Sequence, residues 1–332
     1  MKDFVRKFVT EWRRFEIAAE TSVVAAVSGG ADSMAMLGAL GELKAAGKIR
    51  NRFVVANFDH GIRGSESAIE QDFVRDFSAK LGFEFRGGVA PPGSIDGNIE
   101  QSARNARYAF LLRVSVDTAS QIVLTAHTMN DQAETVLMNL IRGSGIEGLS
   151  GMHLRRKMSG SPDVELLRPL VRWAERNDCE QMCSDAGIQY FDDPMNEDPA
   201  FTRVRIRREL LPLLSTFNPE IVRGLAETAF RLESQARVLK DIGELDGLNS
   251  LVSDSRLSIS ALLEIPDHLR VLVLRIWLEK QIGTRRRLGS VHINSVLCLA
   301  KSDKSGRLAE LPGGIHILKS SGFLKVKRAL VD

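Results

Sequence analysis

The chain has no apolar run near the ~20 residues a membrane-spanning helix needs, and its start, Met1-Lys2-Asp3-Phe4, lacks the apolar centre of a signal peptide. These absences predict a cytoplasmic protein with no membrane partner. Cysteine is scarce: the three residues Cys179, Cys183 and Cys298 are too few and too unevenly spaced for a disulfide framework or a four-ligand zinc site. Cys179 and Cys183, four apart in a helical pattern, read as two thiols on one helix face. No C-x-x-C pair occurs, which removes the thiols that sulfur transfer or an iron–sulfur site requires. A large charge excess is missing as well. The net charge of +3 does not by itself mark a nucleic-acid-binding protein.

The positive charge is nevertheless clumped, at Arg155-Arg156-Lys157, Arg203-Val204-Arg205-Ile206-Arg207-Arg208, Arg285-Arg286-Arg287 and Lys325-Val326-Lys327-Arg328. Each clump alone reads as solvated surface. Four in one chain of modest net charge favour a polyanionic partner. A hydrophobic fraction of 44% with 26% charged residues excludes a disordered or fibrous chain, and 332 residues exceed one average domain. Two domains are therefore expected, with a larger first one.

The order of patterns predicts an α/β fold. After an amphipathic opening helix, buried strands are expected over residues 22–27, 53–58, 83–89 and 122–126. Helices follow them over 33–46, 65–81, 98–119 and 131–142. Strands alternating with helices imply a parallel sheet covered on both faces, which binds ligands at the carboxyl ends of its strands. Three polar sets occupy those ends. They are Ser28-Gly29-Gly30-Ala31-Asp32-Ser33, then Asp59-His60-Gly61-Ile62-Arg63, then His127 with Asn130-Asp131-Gln132 and Glu134. Beyond Gly151 the alternation fades. Helical patterns follow at 173–186, 219–242, 267–281 and 291–301, with short β-like runs at 314–318 and 322–326.

The set beginning at Ser28 has what a phosphate cradle needs: glycines that let backbone N–H groups approach an anion, hydroxyl donors, and a helix N-terminus behind them. Asp32 suits either Mg²⁺ coordination or a helix cap. A lysine in the G-K-[ST] position is absent, which separates the loop from a Walker A motif. Asp131 and Glu134 lie i,i+3 on one helix face and read as paired carboxylates or as acidic residues favoured in a helix first turn. His127 stands at a strand end, where it can orient phosphate or pass a proton. His60 reads equally as loop packing or as an ATP contact. Glu100, Arg104, Arg107 and Tyr108 share a helix face, with Arg104 and Arg107 as candidate phosphate contacts.

Ser-Gly-Gly-x-Asp-Ser at 28–33 resembles the PP-loop of ATP pyrophosphatases, which implies cleavage of ATP between its α- and β-phosphates. The runs 58–66, 99–108 and 126–151, Leu167-Arg168-Pro169-Leu170, Asp193-Pro194-Met195-Asn196 and 203–212 together resemble the tRNA(Ile)-lysidine synthetase family in content, order and spacing. The resemblance is close over residues 22–214 and loose beyond. It implies a parallel-sheet, adenine nucleotide alpha hydrolase-like PP-loop domain over residues 1–217 and a smaller mixed, tRNA-binding domain with a helical linker over 218–332. The implied reaction joins free L-lysine to C2 of the wobble cytidine of tRNA(Ile) with a CAU anticodon, using ATP and Mg²⁺. On this reading Ser28, Gly29, Gly30, Ala31, Asp32, Ser33, Asp59, His60, Arg104 and Arg107 bind ATP, with Asp32 the metal ligand. Asp32, His127, Asp131 and Glu134 serve catalysis. Asp131, Glu134, Arg203, Arg205 and Arg207 bind substrate.

The chain departs from the family pattern at Thr128 and Asn130, where it usually reads His and Asp, and at Val204, where it usually reads Asn. Roles of the replaced side chains do not carry over. The alternative readings are a PP-loop tRNA thiolase, which the missing C-x-x-C pair disfavours, and a non-catalytic nucleic-acid-binding module with a vestigial loop, which the intact Ser28, Asp32 and Ser33 disfavour. An amidotransferase synthetase is disfavoured because no cysteine follows Met1. A homodimer is left open.

Overall fold

The structure, a computed structural model, describes residues 3–61, 65–90, 99–191, 201–245, 255–282, 288–302 and 306–328. Arg63, Asp193 to Asn196, Arg285 to Arg287 and the side chains of Glu100 and Arg328 lie outside the described residues. The chain divides into two compact units, Met1–Arg142 with Leu149–Arg231, and Gly143–Gly148 with Leu232–Asp332. Among the described residues no helix is long and apolar enough to cross a membrane.

In the first unit β1 (Val23–Ala26), β2 (Phe53–Asp59), β3 (Glu84–Val89) and β4 (Ile122–Thr125) are the expected strands, with bounds within two residues of the sequence reading. Two more, β5 (Arg155–Met158) and β6 (Ser161–Leu167), extend the sheet to the order β3-β2-β1-β4-β6-β5. All neighbours are parallel except the β5–β6 hairpin. Sequence patterning missed this hairpin because Arg155-Arg156-Lys157 carries no apolar alternation. As an antiparallel edge strand it has no need of one.

Alternation along the inner strands sends side chains to two cores. Val23, Ala25, Phe53, Val55 and Leu124 pack with α1 (Asp3–Arg14), α2 (Ala31–Ala45), α3 (Ser65–Lys80) and α7 (Arg176–Ala186). Val24, Val54, Ala56 and Val123 pack on the other face with Phe110, Leu111 and Val114 of α4 (Ile99–Asp117). Cys179 and Cys183 are buried in the first of these cores, as two thiols on the inner face of α7.

The chain runs outward from β1 through β2 to β3 and then returns to place β4 on the opposite side of β1. The loops after β1 and β4 diverge at that reversal, and the crevice between them is where such sheets take ligands. After β4, helix α5 (Met129–Ile141) begins two residues after His127. Gln132 on α5 is fully buried; its amide donates to Met152 O (3.1 Å) and its carbonyl accepts from Met152 N–H (2.7 Å). That side chain pins the entry to β5. Gly151, at φ +63°, leaves no room there for a Cβ, which would stand 2.7 Å from Gln132 Oε1.

In the second unit a four-stranded antiparallel sheet in the order β7-β10-β9-β8 (Arg256–Ser258, Phe323–Arg328, Ile315–Ser320, Leu308–Leu311) packs with the helices Asp267–Ile282 and Ser290–Lys301. Trp277, Leu274, Ile293, Val296, Ile317 and Leu324 are its fully buried centre. Arg275 pairs at 2.8 Å with Glu147 of the short helix α6 (Ile146–Leu149), in the segment 143–148 that belongs to this unit.

Gln132→Met keeps the side-chain volume but leaves the N–H and C=O of Met152 unpaired. It should cost about 2 kcal/mol in urea unfolding. Arg205→Ala, at an exposed side chain, should stay within about 0.5 kcal/mol of the parent.

Candidate active site

The crevice is a cavity of ≈ 450 Å³ whose walls include Ser28, Gly30, Ala31, Asp32, Ser33, Asp59, His60, Arg104, Arg107, His127, Asp131, Arg203 and Arg207. Thirteen residues singled out from four distant segments and the basic run at 203–208 thus share one cavity. Gly29, Glu134 and Arg205 are absent from its walls.

The glycine loop is shaped by its own backbone. Gly29 sits at φ +93°, a conformation that side chains other than hydrogen disfavour, and its carbonyl accepts from Phe191 N–H at 3.0 Å. Ser33 folds back over the loop: its hydroxyl donates to Gly30 O (2.9 Å) and accepts from Ser28 N–H (3.1 Å). These contacts hold the N-terminus of α2, with Gly30 as N-cap, open to the cavity. Its free N–H groups and partial positive charge suit an anion.

Asp32, in the first turn of α2, carries a buried Oδ1 with no hydrogen-bond partner among the described residues. Burial, reinforced by the negative charge of Asp131, pushes its carboxyl up to about 7. Cys179 lies behind it; burial and the neighbouring Asp32 raise that thiol far above its ordinary range, so it is an inert packing group. An orphaned carboxylate oxygen facing a second carboxylate fits Mg²⁺, which binds through one or two carboxylates together with substrate phosphates. Among the described residues no cluster of three metal-ligating side chains is present.

On α5, Asp131 caps its own helix by accepting from Thr128 N–H at 2.8 Å and from the Thr128 hydroxyl at 3.2 Å. The departure at Thr128 is thereby absorbed into the cap. Asn130, the second departure, accepts from Arg176 N–H at 2.9 Å and fixes the start of α7. Val204, the third, is a buried apolar side chain.

Glu134, expected beside Asp131 as a substrate carboxylate, is fully enclosed. Its Oε2 accepts from Arg203 Nε (2.6 Å) and Arg207 Nη2 (3.2 Å), and its Oε1 from Arg207 Nε (2.5 Å). Arg203 also reaches Asp131 Oδ1 at 2.8 Å. Burial alone raises Asp131, but the charge of Arg203, the hydrogen bond from Thr128 N–H and the charge of Arg207 outweigh it and hold the carboxyl down to about 2. Arg203 and Arg207 share one face because they stand one turn apart, on the short helix Thr202–Arg205 and the π-turn Ile206–Leu210 that continues it. Ile206 and Leu211 meanwhile pack on Ala133 and Leu137 of α5. Arg205 points away and pairs with Glu209 at the surface.

His127 is held neutral, first by burial and then by the charge of Arg168. Its Nδ1 is bonded to the Thr125 hydroxyl at 2.9 Å. A neutral imidazole at the cavity wall can accept a proton. His60 lies edge-on to Phe58, with ring centroids 5.2 Å apart.

Sequence reasoning missed Asn57, Arg176, Glu180, Phe191 and Phe201, which also line the cavity. Asn57 stands within an apolar strand and is buried, with its amide donating to Val27 O at 2.8 Å. A lone amide inside a β-run was the available signal.

A crevice of this kind, with a glycine loop on a helix N-terminus at the reversal of a parallel sheet, defines a PP-loop nucleotide-binding enzyme, and the PP-loop domain family matches residues 3–214. The TilS substrate binding domain family matches residues 257–319. Among curated proteins, the tRNA(Ile)-lysidine synthase of Salinispora tropica is 33% identical over 313 residues, 91% of this chain and 89% of that one. That of Thermus thermophilus is 35% identical over 321 residues, 94% of this chain and 58% of that one. The chain belongs to the tRNA(Ile)-lysidine synthase family. Among solved structures, the U34-tRNA thiolase NcsA of Methanococcus maripaludis, with its [4Fe-4S] cluster, is similar in fold, with a TM-score of 0.57 at 19% identity over 70% of this chain and 79% of that one.

Removing the charge in Glu134→Gln leaves two largely buried guanidinium groups facing a neutral amide and should cost about 3 kcal/mol of stability. Chemical denaturation of the full chain, with Glu209→Gln as the exposed control, measures it. A loss below about 1 kcal/mol would show that the pair is not held as described.

Proposed function

We propose that the chain ligates free L-lysine to C2 of the wobble cytidine of tRNA(Ile) with a CAU anticodon, through an adenylated tRNA intermediate. ATP is consumed and AMP and pyrophosphate are released. The carrying observation is the convergence of the glycine loop, Asp32, His127 and Asp131 on one cavity. Family membership supports the tRNA substrate and the product class.

The glycine loop and the N-terminus of α2 receive ATP phosphates through Ser28, Gly29, Gly30, Ala31 and Ser33. Asp59, His60, Arg104 and Arg107 are assigned to the same nucleotide-bearing cavity. Asp32 would hold Mg²⁺, which would supply positive charge to the phosphates of ATP. The O2 atom of cytidine attacks the α-phosphorus, forming an O–P bond as the bond to the pyrophosphate oxygen breaks. The ε-amine of lysine then bonds to C2 and AMP leaves with that O2.

The lysine ammonium must lose a proton before it can attack, since at neutral pH it is charged. Asp131, ionised across the whole physiological range, attracts the ammonium. His127, uncharged at the same wall, can accept a hydrogen bond from the ammonium as its proton is passed on. Glu134 acts one step back: it holds Arg203 and Arg207 at the cavity, where their outer edges face substrate. Arg205 contributes to an outer tRNA contact. The second unit, matched by a substrate binding family, is assigned to tRNA.

Full-length protein incubated with ATP, Mg²⁺, lysine and tRNA should yield lysidine in nucleoside mass analysis. Asp32→Asn, which keeps the side chain's shape, should lower pyrophosphate release by at least about a hundredfold, the order expected for loss of one charge-stabilising group. Undiminished release in that variant would remove Asp32 from the chemistry.

A further inference from the structure

Four arginines crowd one phenol beside the cavity. Arg104, Arg107 and Tyr108 come from α4, Arg156 from β5, and Arg168 from just past the end of β6. The guanidinium carbons of Arg104, Arg156 and Arg107 stand 5.0, 5.2 and 5.6 Å from the Tyr108 ring centroid. Arg168 is only 2% exposed; one of its Nη groups donates to His153 O, and its Nε has no partner. The Nε atoms of Arg107 and Arg156 are buried and unpartnered as well. Among the described residues no carboxylate forms an ion pair with any of the four.

Buried like charges with open donors are costly unless something negative satisfies them. Only Arg104 and Arg107 of the four line the cavity, so an anion would enter from there while Arg156 and Arg168 raise the local potential from behind. The location is also distinct. Helix α4 packs on one face of the sheet, whereas α2, which carries the glycine loop at its N-terminus, packs on the other.

We propose that Arg104, Arg107, Arg156 and Arg168, arrayed around Tyr108, form a second phosphate-binding site at the α4 wall of the cavity, separate from the glycine loop. It takes one phosphate group, supplied either by the RNA backbone at the target nucleotide or by the far end of the ATP phosphates. The inference rests on the reading of the cavity as the place where ATP and tRNA meet. Arg156 and Arg168 act as positioning residues.

Tyr108 reports on this site. Burial raises the phenol, but the four arginines outweigh it and bring the group down to about 8. The same crowding, after burial itself, lowers Arg168 to about 10. A bound phosphate would supply the negative charge that tyrosinate otherwise offers, so binding must shift Tyr108 upward, and anion affinity must fall as pH rises through 8. The charged groups facing the ring are Arg104 and Arg107 from its own helix, Arg156 from the edge strand and Arg168 from beyond β6.

The chain has only two tyrosines, Tyr108 and Tyr190, so carbon-13 tyrosine NMR of the full-length protein resolves the titration, with Tyr108→Phe assigning the signal. The probes are inorganic pyrophosphate, ATP with Mg²⁺, and an anticodon stem-loop RNA. A rise in the Tyr108 midpoint with the RNA assigns the site to the RNA backbone, and a rise with pyrophosphate or ATP alone assigns it to the nucleotide. Arg156→Gln should weaken the effective probe about three- to tenfold, and Tyr108→Phe should abolish the decline in affinity above pH 8. A midpoint unmoved by every probe, at concentrations that saturate binding, overturns the proposal. The pyrophosphate arm is informative even if the protein forms no lysidine, which keeps this failure distinguishable from failure of the reaction itself.

Discussion

The site hangs on one buried interaction, the pairing of Glu134 and Asp131 with Arg203 and Arg207. Two carboxylates on the first turns of α5 meet two guanidinium groups from a segment about seventy residues later, with Glu134 wholly removed from water. Separating such a pair strands a charge in a poor solvent, so the geometry is enforced more strongly than any surface ion pair could manage. Several properties follow. Asp131 is held ionised, Val204 and Ile206 are buried, and the arginines line the same cavity as the glycine loop. The π-turn at Ile206–Leu210 fits this arrangement, since a widened turn lets the arginines face the carboxylates while Ile206 and Leu211 face α5.

Acid–base roles divide by environment. Asp32 and Asp131 are both aspartates near one cavity, yet one is pushed up to about 7 and the other down to about 2. The difference is the arginine pair: Asp131 has it, whereas Asp32 has Asp131's negative charge and an unpartnered oxygen. A carboxylate in that state gains from a divalent cation, while one already satisfied by arginines is better suited to orienting a cationic amine. His127, held neutral by burial and by Arg168, lines the same cavity.

Much of this was legible in the sequence because strand ends in a parallel sheet must present the ligand loops. The glycine loop, Asp59 and His127 all followed apolar strands, and all line one cavity. The missing Walker lysine and the absent C-x-x-C pair narrowed the chemistry further. What sequence did not expose were relations across distance. Nothing at Glu134 itself shows that both its oxygens are taken by Arg203 and Arg207, because that depends on a segment whose register only packing decides. Arg205 lies between those two in sequence but turns outward, a consequence of helical periodicity through the π-turn. The basic run at 155–157 taken alone read as solvated surface; its members have separate fates, Arg155 bonding Phe15 O and Glu165 while Arg156 covers Tyr108. The hairpin that carries them was invisible because edge strands need no apolar rhythm. Thr128, Asn130 and Val204 replace residues common in the family, and each has a local structural task.

The order of events at the cavity is the central claim, because it makes the tRNA base, and not lysine, the group that ATP activates. The direct measurement uses ATP labelled at the α-phosphate, the full-length protein and tRNA(Ile) with a CAU anticodon, with lysine omitted. The account predicts label on the tRNA with release of pyrophosphate, and discharge of that label as AMP once lysine is added. Label appearing on lysine in the absence of tRNA would contradict it.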